Sequence, residues 1–241
     1  MEVKMGEFGH IVSDGAKVQT YFSLPEKPNG HGIVLASAVW GLSPDLRNVA
    51  DGYAALGYAV IAPNVFWRQK PDHAMDYDFT HIGMVSALAD NGKDEDAFRD
   101  IRAAKAELVR RTGCTRVAGI GWCYGGRIVC RMSTEDVFDF CAGMYPTWME
   151  MHVDIAPKVK TPMHFHLPEN ERYGKVPDAL ERMLHTFGKH PMVETFLYKG
   201  VEHGFDFAPP HPHGNHAAAR LCDQRVLLAL DRVLVRGETL K

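Results

Sequence analysis

The chain has 241 residues, 46% hydrophobic and 24% charged, enough for one substantial core, so a single domain over 1–241 is expected. A net charge of −3 gives no electrostatic footing for nucleic acid or an anionic membrane surface. No apolar run nears the ~20 residues that cross a bilayer, the polar start MEVKMGEFGH lacks a signal-peptide core, and five cysteines without a C-x-x-C pair read as reduced thiols of a cytoplasmic protein.

In chain order, residues 17–22 alternate like an edge strand. Residues 32–38 (GIVLASA) and 58–62 (YAVIA) are continuous apolar runs, as strands buried on both faces require. Between them, 45–56 carries apolar residues near helical spacing and stops before Gly57. Residues 66–93 have little periodicity and read as a functional flap, as extra short helices or as a surface insertion. Residues 95–111 form an amphipathic helix with Ala97, Ile101, Ala104 and Leu108 on one face and Gly113 beyond its end. A strand at 116–120, a helix at 125–132 and strands at 138–144, 162–167 and 193–198 follow, with helices at 177–187 and 215–235. Alternating strands and helices predict a mainly parallel α/β sheet covered on both faces, without a large cap domain. Active sites of such sheets lie outside the carboxyl ends of the strands.

The segment RVAGIGWCYGGRIVC carries the chemistry. A buried strand runs into Gly121-Trp122-Cys123-Tyr124-Gly125 and a helix begins at once. This is the G-x-S-x-G nucleophile elbow with cysteine in place of serine. Its glycines stand where the strained turn brings backbones too close for side chains, and the sulfur faces a helix N-terminus that favours thiolate. A structural thiol in a glycine-rich turn is the plainer alternative; the strand–turn–helix context argues against it.

A hydrolase of this fold needs an acid and then a histidine downstream of the nucleophile. His203, in Val201-Glu202-His203-Gly204-Phe205, follows a strand and takes the base position, favoured among 13 histidines by its place and not by its type. The acidic loop Pro168-Glu169-Asn170-Glu171 stands one strand earlier and offers two carboxylates. The cluster of His203, His211, His213 and His216 raises a metal site as a rival, but its spacing is not that of a helix-borne H-x-x-x-H pair and its prolines indicate a loop. Neither metal nor cofactor is expected.

The elbow, the late histidine loop, Trp40-Gly41-Leu42, Gly57-Tyr58-Ala59-Val60 with Ala62-Pro63, Arg68-Gln69, Phe165-His166 and Val176-Pro177 together resemble the dienelactone hydrolase (carboxymethylenebutenolidase) family over nearly the whole chain. The resemblance implies a small cytosolic α/β-hydrolase that opens lactones or activated esters with a cysteine–histidine–carboxylate triad. It places the nucleophile on Cys123 and the base on His203. Counting forward from Phe165-His166, it places the acid on Glu171, with Glu169 as the fallback; counting back from Val176-Pro177 reaches Tyr173, which cannot serve. Backbone N–H groups of Tyr124 and Val39 are the implied oxyanion donors. Trp40, Arg68, Tyr145, Trp148, Phe205 and Phe207 are candidates for lining the substrate pocket, although aromatics of this size are as often core.

Three departures bear on substrate. Ala38 stands where the family has a glutamate against the resting cysteine, which leaves Cys123 to pair with His203. Phe207 stands where a substrate-binding arginine is expected, and Glu202 replaces a glycine and adds negative charge near the mouth. An anionic dienelactone is therefore not the expected substrate. The expectation is an uncharged, small-molecule lactone or activated ester, hydrolysed through an acyl-thioester on Cys123 by a monomer or small homo-oligomer. A thioesterase or general carboxylesterase, or a non-catalytic ligand-binding or redox-sensing homologue, are the alternatives.

Overall fold

The computed structural model describes residues 5–207, 211 and 213–240. The chain groups into two compact units, Met1–Gly119 and Ile120–Lys241, and strand β5 (Arg116–Trp122) runs through the division. The eight-stranded sheet reads β1-β2-β4-β3-β5 through the first unit and β5-β6-β7-β8 through the second.

In the first unit, β1 (Glu7–Ser13) and β2 (Ala16–Ser23) form an antiparallel hairpin. Its turn, Asp14-Gly15, has φ of 49° and 76°, the positive values that a two-residue hairpin turn needs. The edge strand is therefore β1, not the 17–22 stretch that the sequence pattern indicates. β2 instead pairs on its other side with β4 (Ala59–Pro63), which lies parallel to β3 (His31–Ala36). Val34, Leu35, Val60 and Ile61 are fully buried, which explains the absence of alternation in these strands.

Helix α1 (Pro44–Ala55) starts under the Ser43 side chain, which accepts the Leu46 N–H at 3.2 Å, and stops before Gly57 at φ 96°. The segment 66–93 takes the short-helix alternative in part: it holds a 3₁₀ turn, Phe79–His81, and a helix, α2 (Ile82–Asn91). Helix α3 (Asp94–Thr112) has three acidic residues in its first turn and buries Ala97, Ile101, Ala104 and Leu108, the face its periodicity marks.

In the second unit, α4 (Tyr124–Arg131) follows β5 directly. β6 (Phe140–Met144), β7 (Met163–Asn170) and β8 (Val193–Glu202) are parallel neighbours in that order. β7 and β8 run past the ends that hydrophobicity marks, at 167 and 198, with a register irregularity between Pro168 and Asn170. These polar extensions carry the chain into the loops that hold Glu171 and His203. A 3₁₀ segment, Met149–Lys158, lies in a stretch whose pattern predicts no element. Helices α5 (Ala179–Phe187) and α6 (His216–Leu230) follow β7 and β8, and α6 ends in a π-helical turn, Asp231–Val235. The proline-rich part of the predicted loop, at 208–210 and 212, lies outside the described residues. Among the described residues no helix is long and apolar enough to cross a membrane.

Candidate active site

Cys123 sits between β5 and α4 with φ 53° and ψ −117°, a strained left-hand geometry for a non-glycine residue. The turn is tight enough that a Cβ on Gly121 would stand 2.3 Å from the Gly125 carbonyl oxygen. Its backbone is held by the last residue of β6 and by the loop that follows. The Cys123 N–H donates to the Met144 carbonyl at 3.0 Å, and the Thr147 N–H donates to the Cys123 carbonyl at 3.2 Å.

The His203 imidazole is electrostatically coupled to the sulfur, and its Nδ1 faces Glu171 Oε2 at 2.8 Å and Oε1 at 3.0 Å. Nδ1–H is thus the donor to the carboxylate, which leaves Nε2 for the sulfur. Glu169 is turned elsewhere: its Oε2 accepts the Gly200 N–H at 2.8 Å and staples the β8 extension. Glu171 also accepts the Tyr173 N–H at 2.8 Å, so its own loop orients it.

The electrostatics follow from burial and charge. Burial alone would push the Cys123 thiol up; the His203 charge and hydrogen bonds from His203, Thr147 and the Tyr124 N–H outweigh it and hold the thiol below its ordinary value. Burial alone would lower the imidazole, but the charges of Glu171 and Cys123 and the hydrogen bonds to both raise it. The two shifts favour a thiolate–imidazolium pair. Burial pushes the Cys130, Cys141 and Cys222 thiols the opposite way, upward.

Of the predicted aromatics, Tyr145 packs its ring on His203 at 4.5 Å, while Phe205 and Phe207 pack behind Tyr145 at 5.6 and 6.2 Å. Phe205 is fully buried and stacks on Tyr198 at 4.7 Å, which makes it support rather than lining. Trp148 lies under the Arg127 guanidinium at 4.7 Å and the Lys175 ammonium at 4.0 Å.

In the first unit, Val39 and Trp40 are clamped by the 66–93 segment. His73 Nε2 lies 2.6 Å from the Val39 carbonyl, the Met75 N–H donates to the Trp40 carbonyl at 3.0 Å, and Tyr77 and Phe79 pack on the Trp40 ring at 5.6 and 5.5 Å. Arg68 is committed to Asp100 at 2.7 Å and Asp14 at 2.5 Å, an ion-pair network rather than the pocket position assigned from the sequence. Glu202 does not leave a free charge either. It pairs with Arg172 and, at 2.7 Å, with His213. His211 and His213 have ring centroids 5.3 Å apart, and among the described residues no group of three or more His, Cys, Asp or Glu side chains is placed to hold a metal.

Three residues at the site escape sequence reasoning. The Thr147 hydroxyl lies 3.4 Å from the Cys123 sulfur. Tyr173 also packs on His203, in a T-shaped contact with ring centroids 4.7 Å apart. Asp206 accepts the Trp122 indole N–H at 2.7 Å and the Tyr145 hydroxyl at 2.5 Å, joining the elbow, the post-β6 loop and the base loop. Burial raises its carboxyl to about 6 against the pull of both donors. Thr147 and Asp206 lie beyond strand carboxyl ends, a signal of place but not of role.

A family model described as the dienelactone hydrolase family matches residues 18–234. A carboxymethylenebutenolidase from a Pseudomonas species is 26% identical over 222 residues, covering 91% of this chain and 92% of its own. That of Pseudomonas putida is 25% identical over 228 residues, covering 90% and 95%. Among solved structures, a Klebsiella pneumoniae protein assigned as a dienelactone hydrolase superposes with a TM-score of 0.79 at 20% identity, covering 93% of this chain and 97% of that one. An α/β serine hydrolase without lid from Xanthomonas campestris gives 0.67 at 12% identity, covering 96% of each.

Proposed function

Because this chain belongs to the dienelactone hydrolase family, we propose that it hydrolyses lactones or activated esters of small molecules through an acyl-thioester on Cys123, with His203 as base and Glu171 as the orienting acid. The observation that carries this reading is a single buried imidazole, bonded to a carboxylate at 2.8 Å and coupled electrostatically to the elbow sulfur, whose thiol it lowers.

The Cys123 proton resides on His203 before substrate arrives. The thiolate adds to the ester carbonyl carbon, forming a C–S bond and moving the π pair onto oxygen. The backbone N–H of Tyr124, at the start of α4, receives that oxyanion. Collapse expels the alcohol, which takes its proton from His203. Water, deprotonated by the now neutral imidazole, then attacks the thioester and the second collapse regenerates thiolate. Glu171 keeps the imidazole in one tautomer and supports its positive charge throughout.

Sulfur narrows the substrate. Thiolate leaves more readily than alkoxide, so the first intermediate returns to reactants unless the substrate's own leaving group is good. Enol lactones, aryl esters and thioesters meet that condition; plain alkyl esters and amides do not. Five free, buried cysteines favour a reducing, cytoplasmic setting.

Turnover of p-nitrophenyl acetate tests the reading. Cys123→Ala is expected to abolish it with an unchanged circular dichroism spectrum. Full activity in that variant refutes the assignment.

A further inference from the structure

We propose that Thr147 is a catalytic residue of this site, its hydroxyl donating a hydrogen bond to the Cys123 thiolate of the resting enzyme. The inference rests on the reading of Cys123 as nucleophile and deepens it.

Thr147 Oγ1 lies 3.4 Å from Cys123 Sγ, within reach of a hydrogen bond to sulfur. Backbone bonds put the hydroxyl there. The Thr147 N–H is tied to the Cys123 carbonyl, and the Cys123 N–H to Met144, the last residue of β6 before that loop. The loop turns through two non-glycine residues with positive φ, Tyr145 at 36° and Trp148 at 60°, one on each side of the Pro146-Thr147 pair. Such geometry is held only where the surroundings over-determine it. The Tyr145 N–H donates to the His166 carbonyl at 2.8 Å and the Tyr145 hydroxyl to Asp206 at 2.5 Å, which supply that restraint.

The donor direction follows from the charge state. A thiolate has no proton to give, so the hydroxyl gives one. Three donors then meet at the sulfur: the imidazolium of His203, the Tyr124 N–H and the Thr147 hydroxyl. The hydroxyl has a specific use. It favours the thiolate without adding a charge beside a site that must accept uncharged esters. It also limits which way the sulfur lone pairs point, because one is occupied.

A donor to thiolate acts in two opposed directions. It raises the thiolate fraction at low pH, and it makes each thiolate less nucleophilic, with a Brønsted slope of ~0.45. If the bond lowers the thiol by roughly one pKa unit, its removal cuts the thiolate fraction about tenfold on the acid side and raises intrinsic reactivity about threefold. Thr147→Val should therefore be alkylated by iodoacetamide about threefold more slowly than wild type at acid pH and about threefold faster at alkaline pH. The two profiles should cross. Thr147→Ser, which keeps the hydroxyl, should follow wild type.

The experiment measures labelling of the Cys123 peptide by mass spectrometry from pH 5 to 10, with circular dichroism as the fold control and Thr147→Ala in reserve should the valine variant not fold. A crossed profile restored by serine supports the proposal. Superimposable profiles, or a uniform slowing at every pH, overturn it: the first means no bond, the second a structural role alone. Failure here is distinct from failure of the nucleophile, which is read in Cys123→Ala hydrolysis.

Discussion

Glu169 and Glu171 lie two residues apart, yet they bond different parts of the base loop: Glu169 takes the Gly200 N–H, and Glu171 takes the imidazole of His203. Glu171→Gln keeps a hydrogen-bond partner for Nδ1 but loses the charge, and is expected to lower kcat by on the order of 10²–10⁴. Because Glu171 holds the imidazole above its ordinary value, the alkaline limb of kcat/KM should move to lower pH in that variant. Glu169→Gln should lose less than about tenfold, and equal losses in the two variants would contradict the assignment. The sequence left both carboxylates open because the choice depends on a strand extension whose polar residues carry no hydrophobic signal. Thr147 was hidden for another reason: a threonine in a loop has no pattern at all, and only its distance to sulfur gives it a role.

At the scale of elements, the parts that could be read were those whose physics is local. Strands buried on both faces announce themselves as apolar runs, and the elbow announces itself because Gly121 has no alternative: a Cβ there would meet the Gly125 carbonyl at 2.3 Å. Gly121→Ala should thus destabilise the fold by about 1–3 kcal/mol and lower Tm, measured by thermal denaturation; an unchanged Tm would mean that the turn is looser than described. Edge strand β1 was missed because it alternates poorly, with Phe8 and Val12 exposed to solvent. The 66–93 segment gave no periodic signal because part of what it buries is backbone: the His73 ring on the Val39 carbonyl and the Met75 N–H on the Trp40 carbonyl fix a loop, not a helix face.

For the molecule as a whole, the sequence implies one domain while the contacts group into two units, with β5 continuous through both. We propose that they unfold together, since melting either one removes half of a strand that the other needs. One transition is expected in urea, coincident by fluorescence and circular dichroism. Two separated transitions would assign the halves independent stability.

The disposition of the five thiols has a practical corollary. Cys114, Cys130, Cys141 and Cys222 are each no more than 6% exposed; burial holds the last three as thiols, whereas the surroundings of Cys123 favour the anion. A maleimide dye applied to the folded protein would mark each chain once, at its reactive centre. The natural sequence is in that sense its own single-site reporter, ready for counting active molecules without any cysteine being engineered out.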